Sequence, residues 1–178
     1  MSAASEFRIE PATERDVPLI LGFIKELAEY EQLNHEVVAT EASLRESLFG
    51  LRPSAEVIIA YARAEPVGFA VFFHNYSTFL GKPGLYLEDL FVLPQWRGRG
   101  LGRQLLAYVA HVAVTRGSGR LEWSVLDWNQ PAVLFYQALG ARPMDEWTVY
   151  RLTGQPLEQL AAEVNVGKAA QAKRGKGT

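Results

Sequence analysis

The chain of 178 residues carries 18 lysines and arginines against 20 acids, a formal charge of −2, with 48% hydrophobic and 11% aromatic residues and no cysteine. Its length and apolar content suit one domain with a packed core and exclude a low-complexity or fully disordered chain. The missing thiol excludes a disulfide framework, a cysteine-ligated metal and a cysteine nucleophile.

Met1–Ser5 lacks the basic start and apolar stretch of a signal peptide, and no apolar run approaches the ~18 residues needed to cross a bilayer. We therefore expect a cytoplasmic protein with no membrane partner. A short first strand is predicted at Phe7–Glu10. Thr13, with Asp16 three residues on, reads as a helix cap. Val17, Ile20, Leu21, Ile24, Leu27 and Ala28 then recur on one helical face, and this helix runs to Glu31. A second helix spans Thr40 to Gly50. Strands at Glu56–Ala64 and Val67–Tyr76 flank the turn Ala64-Glu65-Pro66, and Leu85–Leu93 is the next strand, closed by Pro94. Gly100–Arg116 has helical spacing and stops at Gly117. Arg120–Asp127 reads as a strand and Pro131–Leu139 as a helix that ends at Gly140. Trp147–Leu152 reads as a last strand and Leu157–Val164 as a terminal helix. The order predicts a mixed sheet with helices on its faces, in the α/β or α+β class.

Charge is unevenly spread. Residues 26–46 hold six glutamates and one arginine, whereas residues 90–121 hold five arginines and no acid. One half could serve a cationic ligand and the other an anionic one; solvated helix faces would give the same count. The last twelve residues add Lys168, Lys173, Arg174 and Lys176 and read as a loose appendage. A net acidic body argues against nucleic acid as a partner. His35, His74 and His111 show no metal-ligand spacing, so no metal is expected.

The most informative stretch joins strand Leu85–Leu93 to the following helix. Glycines at 98, 100 and 102 permit positive φ and close backbone approach. The first N–H groups of the helix lack intrahelical acceptors and can bind phosphate oxygens, and Arg97, Arg99 and Arg103 add positive charge. The expectation is a pyrophosphate site; a tight strand-to-helix turn is the plainer alternative. No Gly-Lys-Ser/Thr is present, and Gly-x-Gly-x-Gly in mid-chain is not a dinucleotide fingerprint.

Arg97-Gly98-Arg99-Gly100-Leu101-Gly102 resembles the Arg/Gln-x-x-Gly-x-Gly/Ala signature of the GCN5-related N-acetyltransferases. Trp128-Asn129-Gln130-Pro131-Ala132 and Phe135-Tyr136-Gln137-Ala138-Leu139-Gly140-Ala141 are similar to the later motifs of that family, in the same order. Ile24–Glu31 and Leu85–Val92 resemble its diamine (spermidine/spermine) and thialysine N-acetyltransferase branch, and the match covers roughly residues 7–152.

The resemblance implies a mixed, mostly antiparallel sheet of seven strands, with two central parallel strands splayed apart and acetyl-CoA lying between them. It implies one acetyltransferase domain over residues 1–153, with a terminal helix and basic tail over 154–178, and a homodimer. Leu90, Phe91 and Val92 would pair with the pantetheine amides. Backbone N–H groups of Arg97, Gly98, Arg99, Gly100, Leu101, Gly102 and Arg103 would hold the pyrophosphate. Asn129, Gln130, Pro131 and Ala132 would contact the pantetheine arm.

Direct transfer to an amine requires loss of a proton from a group with pKa near ~10.4, polarisation of the thioester carbonyl and a proton for the departing thiolate. By family position Tyr136 is the acid, since a phenol is protonated at neutral pH and can donate to sulfur; a lone helix tyrosine would otherwise be packing. Glu88 is the candidate base, acting directly or through a water, or else an anchor for the cation; a salt-bridged strand carboxylate is its structural alternative. Simple alternation would put Tyr86, Glu88 and Leu90 on one face and Leu87, Asp89 and Phe91 on the other, leaving Asp89 to brace nearby backbone. Tyr30 and Glu31 match substrate-contacting positions of the branch. The stretch from Gly140 to Trp147 carries Asp145 and Glu146, whereas the polyamine members of the branch tend to be longer and more acidic here, so the resemblance implies a lysine-like acceptor rather than spermidine or spermine. The expected activity is acetyl-CoA-dependent N-acetylation of a small cationic amine. Acetylation of a protein or peptide amine and a non-catalytic CoA-binding module are the alternatives.

Overall fold

The computed structural model describes residues 7–164. Met1–Ser5 and the basic tail lie outside the described residues. The elements are β1 (Phe7–Pro11), α1 (Val17–Tyr30), α2 (Glu41–Phe49), β2 (Glu56–Ala62), β3 (Glu65–Ser77), β4 (Lys82–Val92), α3 (Leu101–Thr115), β5 (Leu121–Trp123), α4 (Gln130–Ala138) and α5 (Gly154–Ala162). The chain divides into two compact units between Leu126 and Asp127.

In the first unit a five-stranded sheet has the order β1-β2-β3-β4-β5. The first three pairings are antiparallel and β4–β5 is parallel. Val67 through Phe72 form an unbroken buried run on β3. Such a run marks a central strand covered on both faces.

Thr13 starts the first helical turn as expected: its N–H and hydroxyl both bond the Asp16 carboxylate at 2.7 Å. Thr40 caps α2 by accepting from the Ser43 N–H at 3.1 Å. The face of α1 buries Val17, Ile20, Phe23 and Ala28. Phe23 was not part of the predicted stripe, yet it stacks on Phe69 with centroids 5.2 Å apart and closes a core with Val57, Ile59, Val71 and Phe91. On the other face Leu101, Leu105 and Val109 of α3 are fully buried. Together these helices sandwich the sheet.

The sheet departs from expectation at its ends. The described residues contain five strands, where seven were expected. Arg120–Asp127 pairs only over Leu121–Trp123, opposite Leu85–Leu87, although β4 itself runs on to Val92. Trp147–Leu152 is not a strand. A strand persists only beside a neighbour that satisfies its N–H and C=O groups, and no ladder in the sheet reaches those residues. The β2–β3 turn is tighter than read: Ala62 pairs with Glu65, and Arg63 takes a positive φ of 57°.

Candidate active site

The site is built on β4. Its register with β3 runs Val71 to Asp89 and then Phe72 to Leu87, so Glu88 is an extra residue without a partner. This is a β-bulge, and it breaks the simple alternation expected from the sequence. Leu87 shares a face with Phe72, whereas Asp89 shares the opposite face with Val71 and the α1 core. Asp89 therefore does not lie with Leu87. Glu88 is exposed at the bulge and Asp89 is partly buried beside it.

The bulge lies where two strands part. β4 and β5 pair at Leu85–Leu121, Tyr86–Glu122 and Leu87–Trp123 and then diverge. A hydrogen bond of 2.6 Å between the Tyr86 and Ser124 hydroxyls closes the fork. Beyond it the β4 edge over residues 88–92 faces no strand among the described residues. The Leu93 N–H donates to the Val67 carbonyl at 3.0 Å, toward β3. By alternation, the backbone groups of Leu90 and Val92 point to the open side.

Acidic groups converge at the same place. The Asp89 carboxyl is pushed up to about 7, first by burial and then by the charges of Glu88 and Glu31. Burial also raises Glu31, which follows the last residue of α1. The structure thus brings together Glu31 and Glu88, which were expected to meet an amine, and adds Asp89, which was assigned only to bracing. Two successive acids on a central strand were the available signal. The backbone bulge that buries one and exposes the other has no sequence mark.

At the far end of β4 a turn at Pro94–Trp96 leads into the glycine loop. Gly98 and Gly100 adopt φ of 76° and 80°, which glycine accepts without strain. Gly100 is the N-cap of α3, and its carbonyl first accepts from Gln104. The N–H groups of Leu101, Gly102 and Arg103 therefore have no intrahelical acceptor. A Cβ added at Gly98, Gly100 or Gly102 would meet nothing within 4 Å, so the glycines keep an open surface clear above these donors. That surface is open to an anion such as a pyrophosphate, and the unpaired β4 edge at Leu90 is open to an extended amide chain, while the Val92 carbonyl is already bonded by Arg97. The arginines differ in use. Arg99 lies over the Trp96 ring at 4.7 Å, and Arg97 turns back to the Val92 carbonyl at 2.9 Å.

In the second unit Asn129 caps α4, its side-chain oxygen accepting from the Ala132 N–H at 3.4 Å. Gln130 donates to the Asp127 carbonyl at 2.9 Å, and Pro131 lies in the first turn. Tyr136 packs against Phe135 with centroids 5.1 Å apart. Among the described residues no cluster of three or more metal-ligating side chains occurs, and no helix is long and apolar enough to cross a membrane.

Residues 24–141 match the family described as Acetyltransferase (GNAT) family. The chain is similar to the thialysine N-epsilon-acetyltransferase of Mus musculus, at 38% identity over 165 residues, covering 86% of this chain and 96% of that one. It is similar to the L-ornithine N5-acetyltransferase NATA1 of Arabidopsis thaliana, at 34% over 198 residues, covering 86% and 87%. Its structure resembles an integron cassette protein from the mobile metagenome of V. cholerae, with a TM-score of 0.75 at 28% identity, covering 89% of this chain and 99% of that one. A strand fork, a glycine loop that opens a helix and this similarity along most of its length agree, and the chain belongs to the GNAT acetyltransferase family as an N-acetyltransferase.

Proposed function

We propose that the enzyme transfers an acetyl group from acetyl-CoA directly to the primary amine of a small cationic acceptor, of the thialysine, ornithine or lysine type. The observation that carries this reading is the acidic cluster of Glu31, Glu88 and Asp89 at the mouth of a strand fork whose leading strand, β4, runs into the glycine loop that opens α3. The thialysine and ornithine enzymes to which the chain is similar support an acceptor of that size.

The thioester supplies an activated acetyl group when bound. Leu90, Phe91 and Val92 line the strand edge that takes the pantetheine amides, and the Gly98–Arg103 backbone takes the pyrophosphate, joined by Asn129–Ala132 along the arm. Glu31 and Tyr30 receive the amine. Glu88 removes its proton, directly or through a water, while Asp89 is poised to titrate near neutrality. The bulge leaves backbone groups at Glu88 without a strand partner, and an N–H there can stabilise a carbonyl oxygen as it becomes negative. Tyr136 protonates the departing thiolate. The functional domain spans residues 1–153, with 154–178 an appendage. The enzyme acts in the cytoplasm as a homodimer, without nucleic acid, membrane or metal.

The purified protein, given acetyl-CoA and a panel of ornithine, thialysine, spermidine and a lysine peptide, should release free thiol fastest with the two diamino acids. Turnover restricted to the peptide, or to none of them, would reject the reading. Tyr136→Phe should lower kcat by about 10²-fold or more while CoA affinity stays within a few-fold of wild type; an unchanged kcat would remove its acid role.

A further inference from the structure

Arg97 opens the glycine signature, and its charge was expected to face the pyrophosphate. The structure commits its guanidinium elsewhere. Nε donates to the Val92 carbonyl at 2.9 Å. The guanidinium carbon lies 4.4 Å from the centre of the Tyr30 ring and 5.5 Å from that of Phe91. Its backbone N–H is also taken, by the Pro94 carbonyl at 3.2 Å. The side chain therefore reaches back five residues to the end of β4 and across to the last residue of α1.

These contacts join two surfaces that the proposed reaction uses separately. Tyr30 ends the helix that delivers Glu31 to the acidic cluster. Val92 ends the open β4 edge, and Gly98, the next residue after Arg97, begins the anion loop. A planar guanidinium can bond a carbonyl in its plane while its face lies on an aromatic ring, which an ammonium cannot do. We propose that Arg97 is a positioning residue that couples the amine end of the site to the carrier end: bonded to Val92 and stacked on Tyr30, it holds α1 and the glycine loop in one mutual arrangement. The inference rests on the functional reading above. Because coupling is reciprocal, a change at Tyr30 must be felt by a ligand of the loop.

CoA without its acetyl group is the probe, titrated calorimetrically into wild type, Arg97→Lys, Tyr30→Leu, Tyr30→Phe and the Arg97→Lys/Tyr30→Leu double variant. Thermal melts verify that each is folded. Tyr30→Leu should weaken CoA binding about three- to tenfold, and Tyr30→Phe, which keeps the ring face, should restore affinity to within about twofold of wild type. Arg97→Lys should weaken binding at least as much as Tyr30→Leu, and the double variant should be no weaker than Arg97→Lys alone, since both changes break one contact. Wild-type affinity in Tyr30→Leu, or single losses that multiply in the double variant, would overturn the coupling while leaving the acetyltransferase reading intact. Absence of CoA binding by the wild type would instead sink that reading, and the coupling with it.

Discussion

The Asp89 carboxyl stands well above the ordinary carboxylate range, at about 7. Burial dominates, and the charges of Glu88 and Glu31 push in the same direction. An acid with a raised folded-state pKa favours the fold only while protonated. Its contribution is complete below the unfolded pKa of about 3.9 and is lost as pH rises through about 7. Asp89→Asn should therefore match wild type near pH 4 and become the more stable protein above pH 7, by at most about 4 kcal/mol at about 1.4 kcal/mol per pKa unit. Urea denaturation of both proteins at pH 5 and pH 8 checks this, and a stability gap that does not widen with pH rejects it. A cationic amine beside Asp89 favours its ionised form, so the same substitution should flatten the rise of amine affinity with pH between 6 and 8. The pair Glu88-Asp89 was visible in the sequence as two acids on a central strand. Which of them is buried depends on the backbone between them.

At the scale of elements, the helices were the most legible. α1, α2, α3 and α4 lie within a residue or two of their predicted bounds, because caps and a repeat of 3.6 are local properties. Strand interiors were equally clear in β2, β3 and β4. The fork was less so: β5 is three residues long because it pairs with β4 only over Leu85–Leu87, a relation between strands that the sequence of β5 alone does not contain. The bulge was illegible for the same reason, being a relation between two strands. It also separates two roles that fall on one residue. Glu88→Gln keeps the extra backbone residue and removes only the carboxylate, whereas deletion of Glu88 lets Leu87 and Asp89 follow each other in regular alternation opposite Phe72 and Val71. The deletion should fold, since the side chains of Leu87 and Asp89 keep their faces, yet it should lower kcat by about 10²–10³-fold, the range for loss of one oxyanion donor. Glu88→Gln should lower the rate most at low pH. Equal kcat values in the two variants across the pH range would assign the whole effect to the carboxylate and none to the bulge.

Across the whole molecule, the uneven charge read from the sequence acquires a place in the fold. The acidic stretch 26–46 contains the end of α1 and its Glu31, and the basic stretch 90–121 contains the glycine loop and α3. Several of those charges are neutralised structurally. Arg116 forms a two-point ion pair with Glu56, one arm at 2.8 Å, Arg45 meets Glu14 at 3.1 Å, and Arg120 meets Glu122 at 2.7 Å. Exposed pairs of this kind add little to stability, but they subtract from the field available to ligands. On the proposed reading, Arg99 and Arg103 belong to the carrier end and Glu31, Glu88 and Asp89 to the amine end. Salt screens exposed charges over about 8–10 Å, so raising NaCl from 50 to 500 mM should increase KM for both substrates. The increase should be steeper for acetyl-CoA, whose phosphates carry several charges. Replacing both Arg99 and Arg103 with alanine should flatten only the acetyl-CoA dependence, and Glu31→Gln only the amine dependence, because screening separates the two ends. Steady-state kinetics at four salt concentrations would decide. If either set of substitutions altered both slopes alike, the two fields would act as one, and the division of labour drawn from the charge pattern would fall.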